Sequence, residues 1–391
     1  MRNKRQVRNF WFLAYFFVPK PKGGLLMEAI FENYSSLKNF FDKQADSDIW
    51  KECYISEVKA KALPNAPILK DVFKDEYNIE NEDAMEQAMY ETGLVLNIPL
   101  EKGENFPVSI LAVNSLIARA GVGKGPLFKI ISSEDMARFL NLAYQSFDNT
   151  GLVLIRNDMV AAFHSDNYQV FPVNKIIDIA ENNLPPHIFK SGYYSEEVTY
   201  VDFELNNSKY LDEYNKELIR FGSTPLKGKL LIRVMTSDIA VSAVKIIPFI
   251  YRNDGVSVQI GQPFSINHTT SSSENDIVES CQNCFQLFEE AKKKAIELSG
   301  VNINHPTGCF LSLSKDLALP KKYALEAVEL FVSCLNDDTC NAYDIYSGLW
   351  DIISLMYADK VPALRIISVM ESISRALSKE IKNYDHDFMW S

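Results

Sequence analysis

Two short polar stretches carry most of the chemistry this sequence could perform. The first is Phe163-His164-Ser165-Asp166-Asn167-Tyr168, directly after an apolar run. The second is Thr236-Ser237-Asp238 at the end of another run, with Arg252 closing the run that follows. A hydroxyl, a carboxylate and a guanidinium at strand ends form a rim, Ser165/Asp238/Arg252, suited to an enzyme acting on a phosphorylated substrate. Polar groups on loops held by a sheet are often functional, because the sheet fixes their position. The plainer alternative is turn chemistry, since Ser, Asp and Asn cap turns with their own side chains.

Other constellations are weaker. Cys281-x-x-Cys284 offers half of a zinc site, with Cys309, Cys334, Cys340 or His305 to complete it. Both thiols, however, sit in a helical pattern, SCQNCFQLFEE, where residues three apart share a buried face, and free Cys is a common small buried residue. Neither a metal nor a cofactor is expected. The five histidines (His164, His187, His268, His305 and His386) show no His-x-His or His-Glu-x-x-His spacing. The acid pairs Glu196-Glu197 and Asp337-Asp338 read as turns or solvated faces. The run AGVGKG (120–125) has the Gly-Lys of a phosphate loop, but Ala118 and Gly125 stand where that loop needs Gly and a hydroxyl. The helical spacing of 109–120 makes Gly121 a left-handed helix cap instead.

Nucleic-acid binding calls for aromatics interleaved with cations. Tyr193, Tyr194, Tyr200, Phe203, Phe249 and Tyr251 supply the aromatics, and Lys229, Arg233 and Lys245 share one face if their strands pair. An ordinary amphipathic sheet explains the same pattern. The net charge of -11 excludes a general charge-driven coat on DNA, which needs many cations, but leaves room for a local basic groove.

The elements that must position these residues follow from periodicity. The expected fold class is α+β: a central, mostly antiparallel sheet with helices, flanked by a helical N-terminal region and a C-terminal helical bundle. Residues 27–150 form the mainly helical N-terminal region, with Ile30, Leu37, Phe40 and Phe41 as a buried stripe and helices at 107–120 and 133–148. Residues 151–268 form the sheet core. It opens with a hairpin turning at Asn157-Asp158, then a helix at 173–183, a strand at 193–205 and a helix at 208–222 capped by Gly222. Three strands at 229–238, 241–254 and 256–266 make an antiparallel meander around Asn253-Asp254-Gly255. After the polar linker 268–275, residues 274–391 carry only helical patterns, at 276–299, 320–336, 341–358 and 362–382.

Six cysteines spread over 391 residues do not describe a disulfide scaffold, and no apolar run approaches the roughly 18–20 residues of a membrane span. Residues 1–26 join a basic start to a short apolar run, FWFLAYFFV, without a cleavage site. KGGLLM back-translates to a ribosome-binding sequence ahead of Met27, so residues 1–26 are expected to be translated leader.

The middle of the chain, roughly 107–268, resembles an uncharacterised phage- and plasmid-borne family. LNLAYQSF (140–147), LIRNDMVAAFHSDNY (154–168) and MTSDIAVSAVKIIPFIYRNDG (235–255) carry the resemblance. Arg156, Ser165, Tyr168, Ser237, Asp238 and Arg252 fall on that family's polar positions. Ala161 stands where the family has Arg, and Ala240-Val241 replace its Gly. The resemblance implies a mobile-element origin and a bacterial cytoplasm, with no established reaction. The leading expectation is a non-catalytic accessory protein that binds single-stranded nucleic acid, of strand-annealing type. The alternatives are the rim enzyme and a structural or host-takeover protein that engages a phage or host partner. The helical C-terminal part leaves a homo-oligomer open.

Overall fold

The computed structural model describes residues 18–19, 25–26, 28–99, 104–123, 127–223, 225–239, 241–252, 257–335 and 339–390. Nearly all of the expected leader, Lys124 and Gly125 of the Gly-Lys run, the Asn253-Asp254-Gly255 turn and the Asp337-Asp338 pair lie outside the described residues.

In chain order, β1 (Val18–Pro19) pairs with β2 (Leu25–Leu26), and β3 (Glu28–Phe31) leads into α1 (Tyr34–Ser47). Next come β4 (Ile49–Tyr54), β5 (Lys59–Ala62), α2 (Lys70–Tyr77), α3 (Glu82–Glu91), β6 (Leu94–Ile98) and β7 (Glu104–Pro107). Helices α4 (Val113–Arg119), α5 (Leu127–Ile130) and α6 (Ser133–Tyr144) follow. The hairpin β8 (Thr150–Arg156) and β9 (Met159–Ser165) precedes α7 (Val173–Asn183). Then run β10 (His187–Ser195), β11 (Thr199–Leu205), α8 (Ser208–Arg220), β12 (Gly228–Thr236), β13 (Val244–Arg252), β14 (Ser257–Gln259) and β15 (Phe264–Ile266). The rest is helical, with α9 (Glu274–Gln282), α10 (Cys284–Ser299), α11 (Pro306–Asp316), α12 (Lys321–Cys334), α13 (Ala342–Leu349), α14 (Asp351–Ala358) and α15 (Ala363–Ser374), except that β16 (Asn302–Ile303) pairs antiparallel with β17 (Cys340–Asn341), which corrects the expectation of helices alone over 274–391.

The fold is α+β. Its largest sheet is antiparallel in the order β14-β13-β12-β11-β10-β3, with β15 also pairing β13. Apolar residues occupy both faces of β12 and β13, so both faces must be covered. Residues of α7 to α15 belong to the same hydrophobic cluster as the sheet. The C-terminal helices therefore close the sheet's own core instead of forming a separate one across the polar linker.

A second correction concerns residues 27–150. Helices dominate them, but β3 completes the edge of the large sheet, and β4 pairs with β8 along its whole length. The small sheets β4-β8-β9 and β5-β6-β7 share a core with α4 and α6, joined by a parallel bridge between Val108 and Val160. Within the expected stripe, Leu37 and Phe41 are buried and Phe40 packs against them, whereas Ile30 lies exposed on β3.

Local signals explain several boundaries. Asn157 and Asp158 have φ of 52° and 59°, the left-handed pair that a two-residue hairpin needs. Gly121 and Gly222 end their helices with φ of 77° and 78°. The strand expected over 193–205 is instead a hairpin, because the Ser195 backbone and hydroxyl bond Val198 and turn the chain at Glu196-Glu197. The run 256–266 divides into β14 and β15. The run 276–299 breaks at Asn283, and 341–358 breaks at Trp350.

Candidate functional site

Arg156 ends β8, immediately before the left-handed turn. Its side chain points back to the end of α1, where Nε and Nη2 donate to Asp48 Oδ1 and Oδ2 at 2.8 and 2.5 Å. Nη2 also donates to Asp238 Oδ2 at 2.8 Å. With its amide turned so that oxygen faces the guanidinium, Gln44 accepts from Arg156 at 2.8 Å. The three charged side chains are 9%, 8% and 11% exposed, so this ion cluster is buried.

Burial opposes the charge on Arg156, but Asp48 and Asp238 more than offset it and hold the group protonated. For Asp48 the balance is reversed. Burial raises its pKa above the usual carboxylate range against the pull of Arg156, and Asp238 adds to the rise.

Beside the ions stands an aromatic stack. The His164 and Tyr168 rings lie 3.7 Å apart and nearly parallel, and His268 lies 5.1 Å from Tyr168 on a parallel plane. Trp50 is near-parallel to both His164 and Tyr168, at 5.9 Å from each. His164 Nε2–H donates to the Asp238 carbonyl at 2.9 Å, and the Tyr168 hydroxyl donates to the same oxygen at 3.3 Å. His268 Nδ1–H donates to the Gln169 carbonyl, while its Nε2 accepts from Thr236. Burial pushes the His164 pKa down to about 4, against the opposing hydrogen bond to Asp238, and lowers that of His268 for the same reason. Both rings are held neutral.

Four of the six polar positions expected to matter thus converge. Arg156, Tyr168 and Asp238 meet directly, and Ser237 Oγ donates to the Glu197 carbonyl at 2.7 Å while accepting from Val241 N. Together they tie the β8–β9 hairpin to the connection between β12 and β13. Ser165 ends β9 opposite Gly151, and its carbonyl accepts from Tyr168 N.

The expected Ser165/Asp238/Arg252 rim is not assembled. Asp238 precedes β13, and Arg252 is that strand's last residue. At about 3.3 Å per residue, strand β13 separates the two by more than about 25 Å. Arg252 pairs across the sheet with Gly228 and lies near Tyr343.

The expected nucleic-acid face also needs correction. Register places Lys229 opposite Tyr251, Arg233 opposite Ile247, and Lys245 opposite Met235, so the three cations do share a face. That face is covered. Arg233 is 5% exposed, donates to both oxygens of Asp202 at 2.7 and 2.8 Å, and lies over the Tyr200 ring at 3.8 Å. Lys245 is paired with Glu371 of α15, and Tyr357 of α14 lies within electrostatic reach of Arg233. Lys229 is exposed at the margin and paired with Glu204 at 2.5 Å.

Two cavities flank the ion cluster. Arg156 lines a cleft of about 170 Å³ together with Asn81, Asp83, Gln87, Asn157 and Glu196. Its partners Asp48 and Asp238 line a smaller one of about 80 Å³, walled by Phe41, Trp50, Pro172 and Val173. Asn81 caps α3 and donates to Asp158 at 2.9 Å, which fixes the wall of the cleft. Asp48, Gln44 and Trp50 carry no local sequence signal, and His268 carries none beyond its residue type. Nothing local distinguishes Asp48 from Asp46, and only the pairing of β4 with β8 brings it to Arg156.

Among the described residues, no group of three or more His, Cys, Asp or Glu is placed to hold a metal ion. Cys281 and Cys284 are buried, and burial pushes both thiols up to about 12. No helix among the described residues is long and apolar enough to cross a membrane. No protein-family model matches this chain, and no curated protein or solved structure matches it either.

Proposed function

We propose that this chain is a non-catalytic binding protein of the phage- and plasmid-borne type, and that its partner is a basic segment of another protein. The observation that carries the reading is the charge around the cleft. Arg156 is already matched by Asp48 and Asp238, while Asp83, Asp158 and Glu196 stand at or beside the same opening. Such a surface repels a phosphate backbone and attracts cationic or amide-bearing side chains. The amides of Asn81, Gln87 and Asn157 add donors and acceptors suited to a peptide. The family-pattern residues hold the hairpin to the large sheet. In this reading they preserve the shape of the cleft and do not react.

The test is fluorescence anisotropy with a labelled lysine-rich peptide and, in parallel, labelled oligothymidylate, each at two salt concentrations. Salt-sensitive peptide binding, weakened several-fold by Asp83→Asn combined with Glu196→Gln, is expected. Binding of oligothymidylate without binding of the peptide would overturn the proposal and restore a nucleic-acid role.

A further inference from the structure

The smaller cavity has a charge balance and a lining that point to a ligand. Its charged walls are Asp48 and Asp238, and both carboxylates rely on the single guanidinium of Arg156. Two nearly buried carboxylates against one cation leave a formal excess of one negative charge. Burying such a charge without a counter-ion is strongly unfavourable. The facing groups do not supply the balance: His164 is held neutral, Tyr168 stays protonated, and Gln44 is an amide.

The remaining walls are apolar and flat. Phe41 and Trp50 offer aromatic surface, Pro172 and Val173 aliphatic surface, and Trp50 is held in place by near-parallel contact with His164 and Tyr168. Carboxylates beside aromatic faces recognise an ammonium head on an apolar stem, through charge-assisted hydrogen bonds and cation–π attraction.

We propose that this cavity binds a primary or methylated ammonium group, as carried by a lysine side chain. The proposal deepens the reading of a basic partner segment, and rests on that reading only for what carries the amine.

The test follows the indole N–H resonance of Trp50, assigned with Trp50→Phe, during titration of the full-length protein with methylammonium chloride. Sodium chloride at matched ionic strength is the control. A saturable Trp50 shift specific to methylammonium is expected, weakened at least tenfold in Asp238→Asn and unchanged in Glu329→Gln, an exposed acid on α12 outside both cavities. Asp238→Asn keeps the Arg156–Asp48 pair, and if it fails to fold, the comparison of the two salts on the unaltered protein still decides. A lysine-rich peptide that shifts the same resonance identifies the source as a side chain, and a methylammonium shift without a peptide shift identifies a free amine. Identical responses to the two salts would overturn the proposal. So would Asp48 carboxyl titration near neutrality without any methylammonium effect, because a proton would then supply the balance. Peptide binding by anisotropy with Trp50 unmoved would overturn this pocket and leave the cleft reading standing.

Discussion

Lowering the pH from about 7 to about 4.5 asks the fold to keep His164 neutral while the unfolded chain takes up a proton at its ordinary value near 6.5. The folded value is about 4, so between those limits the unfolded state binds one proton more than the folded state. Stability contributed by this group is therefore complete above about 6.5 and is lost as the pH falls toward about 4. Each pH unit in that window costs about 1.4 kcal/mol, so the whole window carries roughly 3 kcal/mol. His268, also lowered by burial, acts in the same direction, whereas Asp48, raised by burial, gains its proton first in the folded state and opposes the loss. Urea unfolding at about pH 7 and at about pH 4.5 measures the sum. His164→Gln keeps a donor toward the Asp238 carbonyl but cannot titrate. It should lower stability modestly near neutrality and remove about 2–3 kcal/mol of the acid sensitivity. Equal acid sensitivity in the unaltered protein and in His164→Gln would refute the assignment of this stability to the buried ring.

Arg156→Met leaves Asp48 and Asp238 buried without their shared cation, and should cost about 3–5 kcal/mol by chemical denaturation, with Arg156→Lys recovering only part. Arg233→Met should destabilise by a similar amount by stranding Asp202, whereas Lys175→Ala, in a pair with Glu274 that is exposed on both sides, should change stability by less than about 1 kcal/mol. Gly308→Ala would drive a methyl group into the His386 carbonyl on the final segment. A loss of about 1–3 kcal/mol is expected, with faster hydrogen exchange over residues 381–390 than over α12.

Periodicity and turn chemistry made several element boundaries legible. Asn157-Asp158, Gly121 and Gly222 each announce a backbone conformation that few other residues accept, and the elements ending there are where their spacing places them. The strand expected over 193–205 shows the limit. Alternation continues across a tight hairpin, so Tyr193 and Tyr200 look like one strand when they are cross-strand neighbours. Helix α11 carries no clear amphipathic stripe although Pro306 marks its start, because Cys309, Phe310, Leu311 and Leu313 spread apolar surface around most of a helix whose middle is buried. For the candidate site, the polar runs at 163–168 and 236–238 were visible as strings. Their meeting with Asp48, and the separation of Arg252 from Asp238, depend on strand pairing and strand direction. The same register that put Lys229, Arg233 and Lys245 on one face could not show that Glu371, more than a hundred residues away, would cover it.

That cover arrives late during synthesis. The last strand of the large sheet ends at Ile266, but Glu371, which pairs with Lys245, and Tyr357, within electrostatic reach of Arg233, belong to α15 and α14. At roughly 5–20 residues per second, the ribosome needs about 5–20 s to deliver the intervening chain. Through that interval Leu231, Met235, Ile247 and Phe249 form an apolar surface on the nascent chain, and a ribosome stalled between the two points would present it to holding chaperones or to neighbouring nascent chains.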